Sequence, residues 1–366
     1  MTNTDFSLLD LPREIPIDDA DAYLRAAIAW HFGPETGSAY WLERAEDLEF
    51  DPVSDITTFE DLKLFPNLAS ELREVPAADL IPRGYGSPAP IPQVSESGGT
   101  TGAPKRVIQT PDCREQALRW TAQEFVKGGY ERGRGLLGIL PAGPHSVGTA
   151  ALAVAERLGS IYYTVDLDPR WVKKLVARNQ LEQTSAYVEH ILEQVGYILQ
   201  SQDIGNVFTT PPIMQAIARN DALVKLMNDK VHYVMTGGAQ MDADTHFLLQ
   251  DLFPNTILTM TYGNTMIMGS MMTRICQPPN GIFVFDPHSP YMTVRVVDPS
   301  TGMSVPYGER GQVMLSLVNK AMFIPNNLER DTAVRHAGPP QQVGDSIAEV
   351  RPVSAFEGQE VIEGVY

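Results

Sequence analysis

The residues from Ser95 to Val107 read SESGGTTGAPKRV, and their types suit one task, the holding of a polyanion. Gly98, Gly99 and Gly102 can take positive φ at little cost. Successive backbone N–H groups can then face one concavity, a nest that binds an anion. Thr100 and Thr101 add hydroxyl donors, and Lys105 adds a compact point charge suited to phosphate. Arg106 and Arg114 extend this into a small basic island. The spacing is not that of the common loop G-x-x-x-x-G-K-[ST], because Lys105 follows Gly102 only after Ala103 and Pro104. The same composition would also suit a plain surface loop of small residues.

The elements around this stretch alternate. CREQALRWTAQEFVKGG has helical spacing, GLLGIL reads as a short buried strand, and VGTAALAVAERLG as a helix rich in small residues. IYYTVDL, NVFTT, VHYVMTGG and TILTMTYG read as further strands. PRWVKKLVARNQ, PIMQAIARN and the Asp-capped DADTHFLLQDLF read as helices. Such alternation predicts crossover units and a mostly parallel sheet, whose ligand-binding groups gather at the carboxyl ends of its strands. The glycine-bearing ends MTGGA and TYGNT are therefore candidate site segments. Upstream, Thr57 and Thr58 before FEDLKLF predict a capped short helix, and PRGYGSPAPIP a loop feeding the strand ahead of the glycine stretch. Beyond residue 286, MTVRVVDPSTGMSVPYGERGQVMLSLV alternates and turns at DPSTG, an antiparallel hairpin pattern. The expected fold is α/β, with mostly parallel sheets plus a β-rich subdomain. Its expected regions are helices and loops over 1–90, an α/β ligand-binding region over 91–286, and the β-rich part over 287–366.

The whole chain narrows the function. Its 366 residues are 43% hydrophobic and 8% aromatic, a globular composition. The 28 basic and 45 acidic residues give a net charge of −17, a field that repels nucleic acid and anionic membranes. No apolar run reaches the roughly 20 residues of a membrane helix, and the acidic N-terminus lacks the basic region of a secretory signal. Two cysteines, Cys113 and Cys276, supply neither a disulfide framework nor a zinc set. The expectation is a cytoplasmic protein.

SGGTTGAPKRV resembles T-S-G-T-T-G-x-P-K-G, the phosphate-binding signature of the adenylate-forming superfamily of acyl-CoA synthetases, peptide-synthetase adenylation domains and luciferases. Gly98 stands for the usual serine and Arg106 for the usual glycine. Other segments follow in the family's order. PAGPHSVG resembles P-x-x-H-x-x-G with one extra residue, placing His145 and Gly148. MTGGAQM resembles the G-G-A segment, placing Gly237, Gly238 and Ala239, and TMTYGNT resembles Y-G-x-T, placing Tyr262, Gly263 and Thr265. YGERGQVML resembles G-E-x-G-E-I at Gly308, Glu309 and Gly311, and QVGDSI resembles the T-G-D segment at Asp345. FDPVSDITTFEDLKLFP is similar to the N-terminal region of phenylacetate-CoA ligases, so the resemblance runs from about residue 50 onward.

The resemblance implies the large N-terminal domain of an adenylate-forming enzyme. It implies ATP-dependent activation of a carboxylate as acyl-AMP with release of pyrophosphate, using Mg²⁺. Thr100, Thr101 and Lys105 would serve the phosphates and His145 would border the acyl pocket. Gly237, Gly238 and Ala239 would lie against adenine, Tyr262, Gly263 and Thr265 would complete the nucleotide site, and Asp345 would hold the ribose hydroxyls. Met260, Met266, Met268, Met271 and Met272 crowd the proposed acyl site, and thioethers suit an aromatic acid, although they would also serve as core fillers.

Two departures stand out. The family follows Y-G-x-T with a glutamate that helps to hold Mg²⁺; here Met266 follows, and a thioether is a poor ligand for a hard cation. Glu96 is a candidate substitute, and the metal ligands stay open. The chain also runs only twenty-one residues past Asp345, so the family's mobile C-terminal domain with its lysine is expected to be absent. The chain is most similar to the short adenylating chains of phenazine antibiotic biosynthesis, in the griseoluteic acid branch. That similarity implies a phenazine carboxylate as substrate, its adenylate passing to a partner such as a reductase or an amine-using enzyme. A chain of this length and acidity suits a monomer or a homodimer. Two other readings stay open: a catalytically impaired protein that binds a nucleotide or a phenazine, and a conventional kinase, which the missing G-K-[ST] disfavours.

Overall fold

The computed structural model describes residues 5–98, 103–353, 355–356 and 359–360. In chain order its main elements are α1 (Ala20–Phe32), α2 (Ala39–Ala45), α3 (Pro52–Asp55), β1 (Gln93–Glu96), β2 (Arg106–Gln109), α4 (Pro111–Lys127), β3 (Gly135–Leu140), α5 (Ser146–Arg157), β4 (Tyr162–Asp166), α6 (Pro169–Ala177), α7 (Leu181–Ser201), β5 (Ile204–Thr209), α8 (Pro211–Ala218), α9 (Asp221–Lys230), β6 (Tyr233–Thr236), α10 (Ala243–Leu252), β7 (Ile257–Asn264), β8 (Gly269–Thr273), β9 (Val284–Asp286), β10 (Met292–Val297), β11 (Arg310–Val318), β12 (Phe323–His336) and β13 (Ser346–Pro352). They form two compact units. The first comprises the described residues of Met1–Trp120, Asn264–Met268 and Pro287–Ile347, and the second Thr121–Gly263, Gly269–Asp286 and the described residues from Ala348 onward.

In the first unit, β10, β11 and β12 pair antiparallel, Met292 opposite Leu317 and Arg310 opposite Val334. The DPSTG turn forms as expected: the Gly302 and Thr301 amides donate to the Asp298 carbonyl at 2.8 and 3.3 Å. The turn joining β11 to β12 is pinned by α1. Tyr23 Oη donates to the Val318 carbonyl at 2.9 Å, Trp30 Nε1 donates to that of Lys320 at 2.9 Å, and His31 Nε2 meets that of Asn319 at 2.7 Å. Tyr23, Trp30 and His31 recur at the seven- and eight-residue spacing of one helix face, so a single stripe of α1 does this work. Phe323, the first residue of β12, sits among Phe32, Trp41 and Phe65 at centroid distances of 5.8, 5.3 and 5.4 Å. Each such aromatic pair contributes about 0.5–1.5 kcal/mol beyond its buried area. The short helix expected after Thr57 and Thr58 is a 3₁₀ turn over Phe59–Leu64, closed by a capping box between Thr58 and Asp61.

The second unit is built on a parallel sheet in the order β4-β3-β5-β6-β7, continued by β8 and β9. The expected crossovers are present: β3 pairs parallel with both β4 and β5, β5 with β6, and β6 with β7. Residues of β3, β5 and β6 are buried along their whole length, which is why they read as apolar runs without alternation. Asp242 caps α10 by accepting from the Thr245 amide at 2.7 Å. Two helices, α7 and α9, lie outside the sequence expectation. In α7 Ile191, Val195, Gly196 and Leu199 are the buried residues. Among the described residues no helix is long and apolar enough to cross a membrane.

His31 gives the first unit a pH dependence. It is 1% exposed, and burial pushes its imidazole down to about 4, against the opposing effect of the Asn319 carbonyl. The folded value lies below that of the unfolded chain. The stabilisation is therefore complete above about pH 6.5 and fades as pH falls toward 4, by about 1.4 kcal/mol per pH unit. Urea unfolding at pH 7 and pH 5 should show a drop for the native protein that is about 2 kcal/mol larger than for His31→Gln.

Candidate active site

The glycine stretch lies in sequence between two paired strands of the first unit. β1 and β2 pair antiparallel, Gln93 opposite Gln109 and Glu96 opposite Arg106. The neck is then closed by Ser97 and Lys105. The Ser97 amide donates to the Lys105 carbonyl, and the Lys105 amide donates to Ser97 Oγ, both at 2.9 Å. Arg106 Nε donates to Glu96 Oε1 at 3.1 Å, and its Nη1 to the Arg73 carbonyl at 3.2 Å. Arg73 Nε in turn donates to the Ala103 carbonyl at 3.0 Å. The basic island is thus divided. Arg106, standing where the resembling pattern has glycine, is committed to the hairpin, and so is Glu96, the candidate metal ligand. The Lys105 side chain, 9% exposed, has no anionic partner among the described residues. Gly98 is among the described residues; Gly99, Thr100, Thr101 and Gly102 lie outside them.

Also in the first unit, Thr265 opens a single 3₁₀ turn over Thr265–Ile267, capped by Asn264, whose Oδ1 accepts from the Met266 amide at 2.8 Å. Met266, 2% exposed, and Met268 belong to the hydrophobic core of this unit. Asp345 is buried. Its Oδ1 accepts from Arg335 Nε at 2.8 Å and its Oδ2 from the Val296 amide at 3.1 Å.

In the second unit the expected residues lie at one edge of the parallel sheet, at the carboxyl ends of its strands. The strand order turns from β3 to β4 on one side and to β5 on the other, so the switch point lies between β3 and β5. The segment after β3 carries His145 as the residue capping α5. It is shaped by the Ala142 amide, which donates to Asp166 Oδ1 at 2.7 Å, and by the His145 amide, which donates to the Ala142 carbonyl at 3.0 Å. At the end of β5, Thr209 is fully buried with no partner for Oγ1 among the described residues, and its carbonyl accepts from the Gly237 amide at 3.1 Å. The sequence signal for this position was available in FTTPP, paired hydroxyls between a buried strand and a proline-started helix.

The two glycines after β6 have different reasons. A Cβ on Gly237 would meet Thr261 Cγ2 at 3.0 Å and the Thr261 carbonyl at 3.1 Å, so β6 and β7 approach closely enough there that a side chain would have to push Thr261 aside by a few tenths of an ångström. Gly238 has φ +80°, in the left-handed region, and leads the half-buried Ala239 out of the sheet. On β7, Met260 pairs in register with Thr236 and is buried, as are Met271 and Met272 on β8. Tyr262 is half-buried, 6.4 Å from Phe285, and Gly263 is exposed. Among the described residues no cluster of three His, Cys, Asp or Glu side chains could hold a metal ion.

No protein-family model matches the sequence, and no curated protein matches it. Solved structures do. One is 2-hydroxyisobutyryl-CoA ligase in the postadenylation state in complex with R3-HIB-AMP, with a TM-score of 0.58 and 14% identity over 86% of this chain and 62% of that one. An open conformation of the same ligase with 2-HIB-AMP and CoA gives 0.57 and 14% over 93% and 76%, and its thioesterification state gives 0.56 and 14% over 86% and 63%. This chain has their fold, a mixed α/β fold with a large, mostly parallel sheet. It spans about six-tenths of the length of the ligase in its postadenylation form.

The left-handed glycine yields a test confined to the second unit. Gly238→Ala puts a Cβ at φ +80°, a strain of about 1–2 kcal/mol. Urea unfolding should register a loss of that size with the far-ultraviolet spectrum unchanged.

Proposed function

We propose that the protein activates a carboxylic acid with ATP, forming an acyl adenylate and releasing pyrophosphate. The observation that carries this reading is the placement of the motifs on a fold shared with ligases solved as acyl-AMP complexes. The G-G-A and Y-G-x-T segments end adjacent parallel strands, and the T-G-D-like aspartate and the glycine hairpin belong to the same fold. In the reaction a carboxylate oxygen attacks the α-phosphorus. The bond from that phosphorus to the bridging oxygen breaks, and its electron pair leaves with pyrophosphate. The protein positions the reactants and offsets charge rather than supplying a nucleophile. Lys105 neutralises charge on the departing phosphates, Asp345 takes the ribose hydroxyls, Gly237 to Ala239 give adenine a flat backbone surface, and His145 borders the acyl group.

Mg²⁺ finds no cage among the described residues. Met266 is packed into a core, Glu96 is paired with Arg106, and no three-ligand cluster exists among them. The metal is taken to arrive on the ATP phosphates, its usual mode.

The finer reading is drawn from the sequence resemblance: an aromatic acid, a phenazine carboxylate of antibiotic biosynthesis. Its adenylate would be handed in the cytoplasm to a reductase or another acyl acceptor, by a monomer or a homodimer. Met266 in place of a glutamate favours one alternative, a nucleotide- or phenazine-binding protein of impaired activity.

Pyrophosphate–ATP exchange with phenazine carboxylates, benzoates, phenylacetate and a fatty acid tests the proposal. Exchange should depend on the acid and be fastest with an aromatic one. Lys105→Ala should slow it by about two to three orders of magnitude, the effect of losing a preorganised donor worth about 2.7–4 kcal/mol. Because Lys105 has no anionic partner among the described residues, the variant should melt close to the native temperature. Absence of exchange with every acid, while ATP still binds, would favour the impaired binding protein.

A further inference from the structure

We infer that Arg335 is a positioning residue, which fixes the carboxylate of Asp345 in an orientation suited to reading a nucleotide ribose. The inference rests on the ribose role proposed above for Asp345. Nothing in the sequence motifs singles out Arg335, which lies ten residues upstream on β12. The geometry does.

Asp345 is 3% exposed, so the direction of its carboxylate is set by its neighbours rather than by water. A carboxyl torsion is intrinsically broad, yet here both oxygens are tied. Oδ1 accepts from Arg335 Nε at 2.8 Å, and Oδ2 accepts from the Val296 amide at 3.1 Å. An ionised carboxylate offers about four lone-pair directions. One donor on each oxygen leaves each with a further acceptor direction, the requirement for two vicinal hydroxyls.

Arg335 is itself held on several sides. Its Nη1 donates to the Val305 carbonyl at 2.6 Å, and its guanidinium lies 4.1 Å from the centre of the Tyr307 ring. Its amide donates to the Glu309 carbonyl at 2.9 Å, and its own carbonyl accepts from the Gly308 amide at 2.8 Å. The planar fork arrives preorganised, so little side-chain freedom remains to be lost when the carboxylate is engaged. Tyr307 is 59% exposed, far more than a ring kept for core packing, and its contact with the guanidinium gives it a reason to stand there.

The test is equilibrium binding of ATP and of 2′,3′-dideoxy-ATP, each with Mg²⁺, to the full chain. The native protein should prefer ATP by about tenfold or more, the worth of hydrogen bonds to a charged group. Asp345→Asn should bring the ratio close to one. Arg335→Gln should do the same while leaving the affinity for dideoxy-ATP unchanged, which a merely destabilised fold would not do. Removing one partner of a buried pair can unfold a protein, so Arg335→Lys and Tyr307→Ala provide milder probes, each expected to lower the ratio about threefold. Loss of preference in Asp345→Asn with full preference in the folded Arg335 and Tyr307 variants would overturn the positioning role and leave the ribose role standing. Preference retained in Asp345→Asn, or absent from the native protein, would remove the ribose role and this inference with it.

Discussion

A parallel strand cannot be returned by a hairpin, and the second unit is arranged around that restriction. Each of β3, β4, β5 and β6 must hand the chain to a helix before the next parallel strand begins. Every strand therefore releases its chain at the same edge, where backbone groups have left the sheet and are available to a ligand. Gly237, Tyr262 and the His145 segment share that edge for this reason, though they are far apart in sequence. The demand also bears on residue type. Where β6 and β7 leave together, Thr261 crowds the space a Cβ on Gly237 would take.

The first unit meets a different demand, that of holding loops still without a parallel sheet beneath them. Antiparallel strands supply the frame, and side chains from distant segments fix its turns. The β11–β12 turn takes its shape from Tyr23, Trp30 and His31 on α1. The glycine hairpin is fixed at its neck by Ser97, Glu96, Arg106 and Arg73. The cost of the first arrangement is visible in His31, whose burial makes the pinned turn sensitive to acid.

The parallel core was legible in the sequence because fully buried strands and their crossover helices leave strong, separate signals. GLLGIL, NVFTT and VHYVMTGG could scarcely belong elsewhere, and each is a strand. The helix α7 was missed although its buried side chains, Ile191, Val195 and Leu199, recur every four residues along one helix face. The 14-residue β12 was missed because Pro325 and the polar residues after it argue against a strand, and its pairing with β11 decides the matter. Motif positions such as Gly237 and Gly238 were legible as residues, but their separate reasons, close approach and left-handed φ, required coordinates. The Arg335–Asp345 pair was invisible, because no local rule links residues on a strand and on the loop that follows it.

Charge explains why one cation matters among so many acidic groups. At −17 the chain as a whole repels a polyphosphate, but beyond a Debye length of about 8 Å that repulsion is largely screened. What a bound phosphate feels is local, and several arginines are already tied to carboxylates. Arg44 is paired with Glu71, Arg106 with Glu96, Arg274 with Asp286 and Arg335 with Asp345. The division follows the chemistry of the two side chains. A guanidinium presents a rigid fork that matches a carboxylate and serves best as a structural tie, whereas an ammonium is a point charge that adapts to whatever anion arrives. Lys105, mostly buried at the neck of a tied hairpin, has its backbone fixed by Ser97 and no anionic partner among the described residues, which leaves its charge available for an anion that the rest of the surface would turn away.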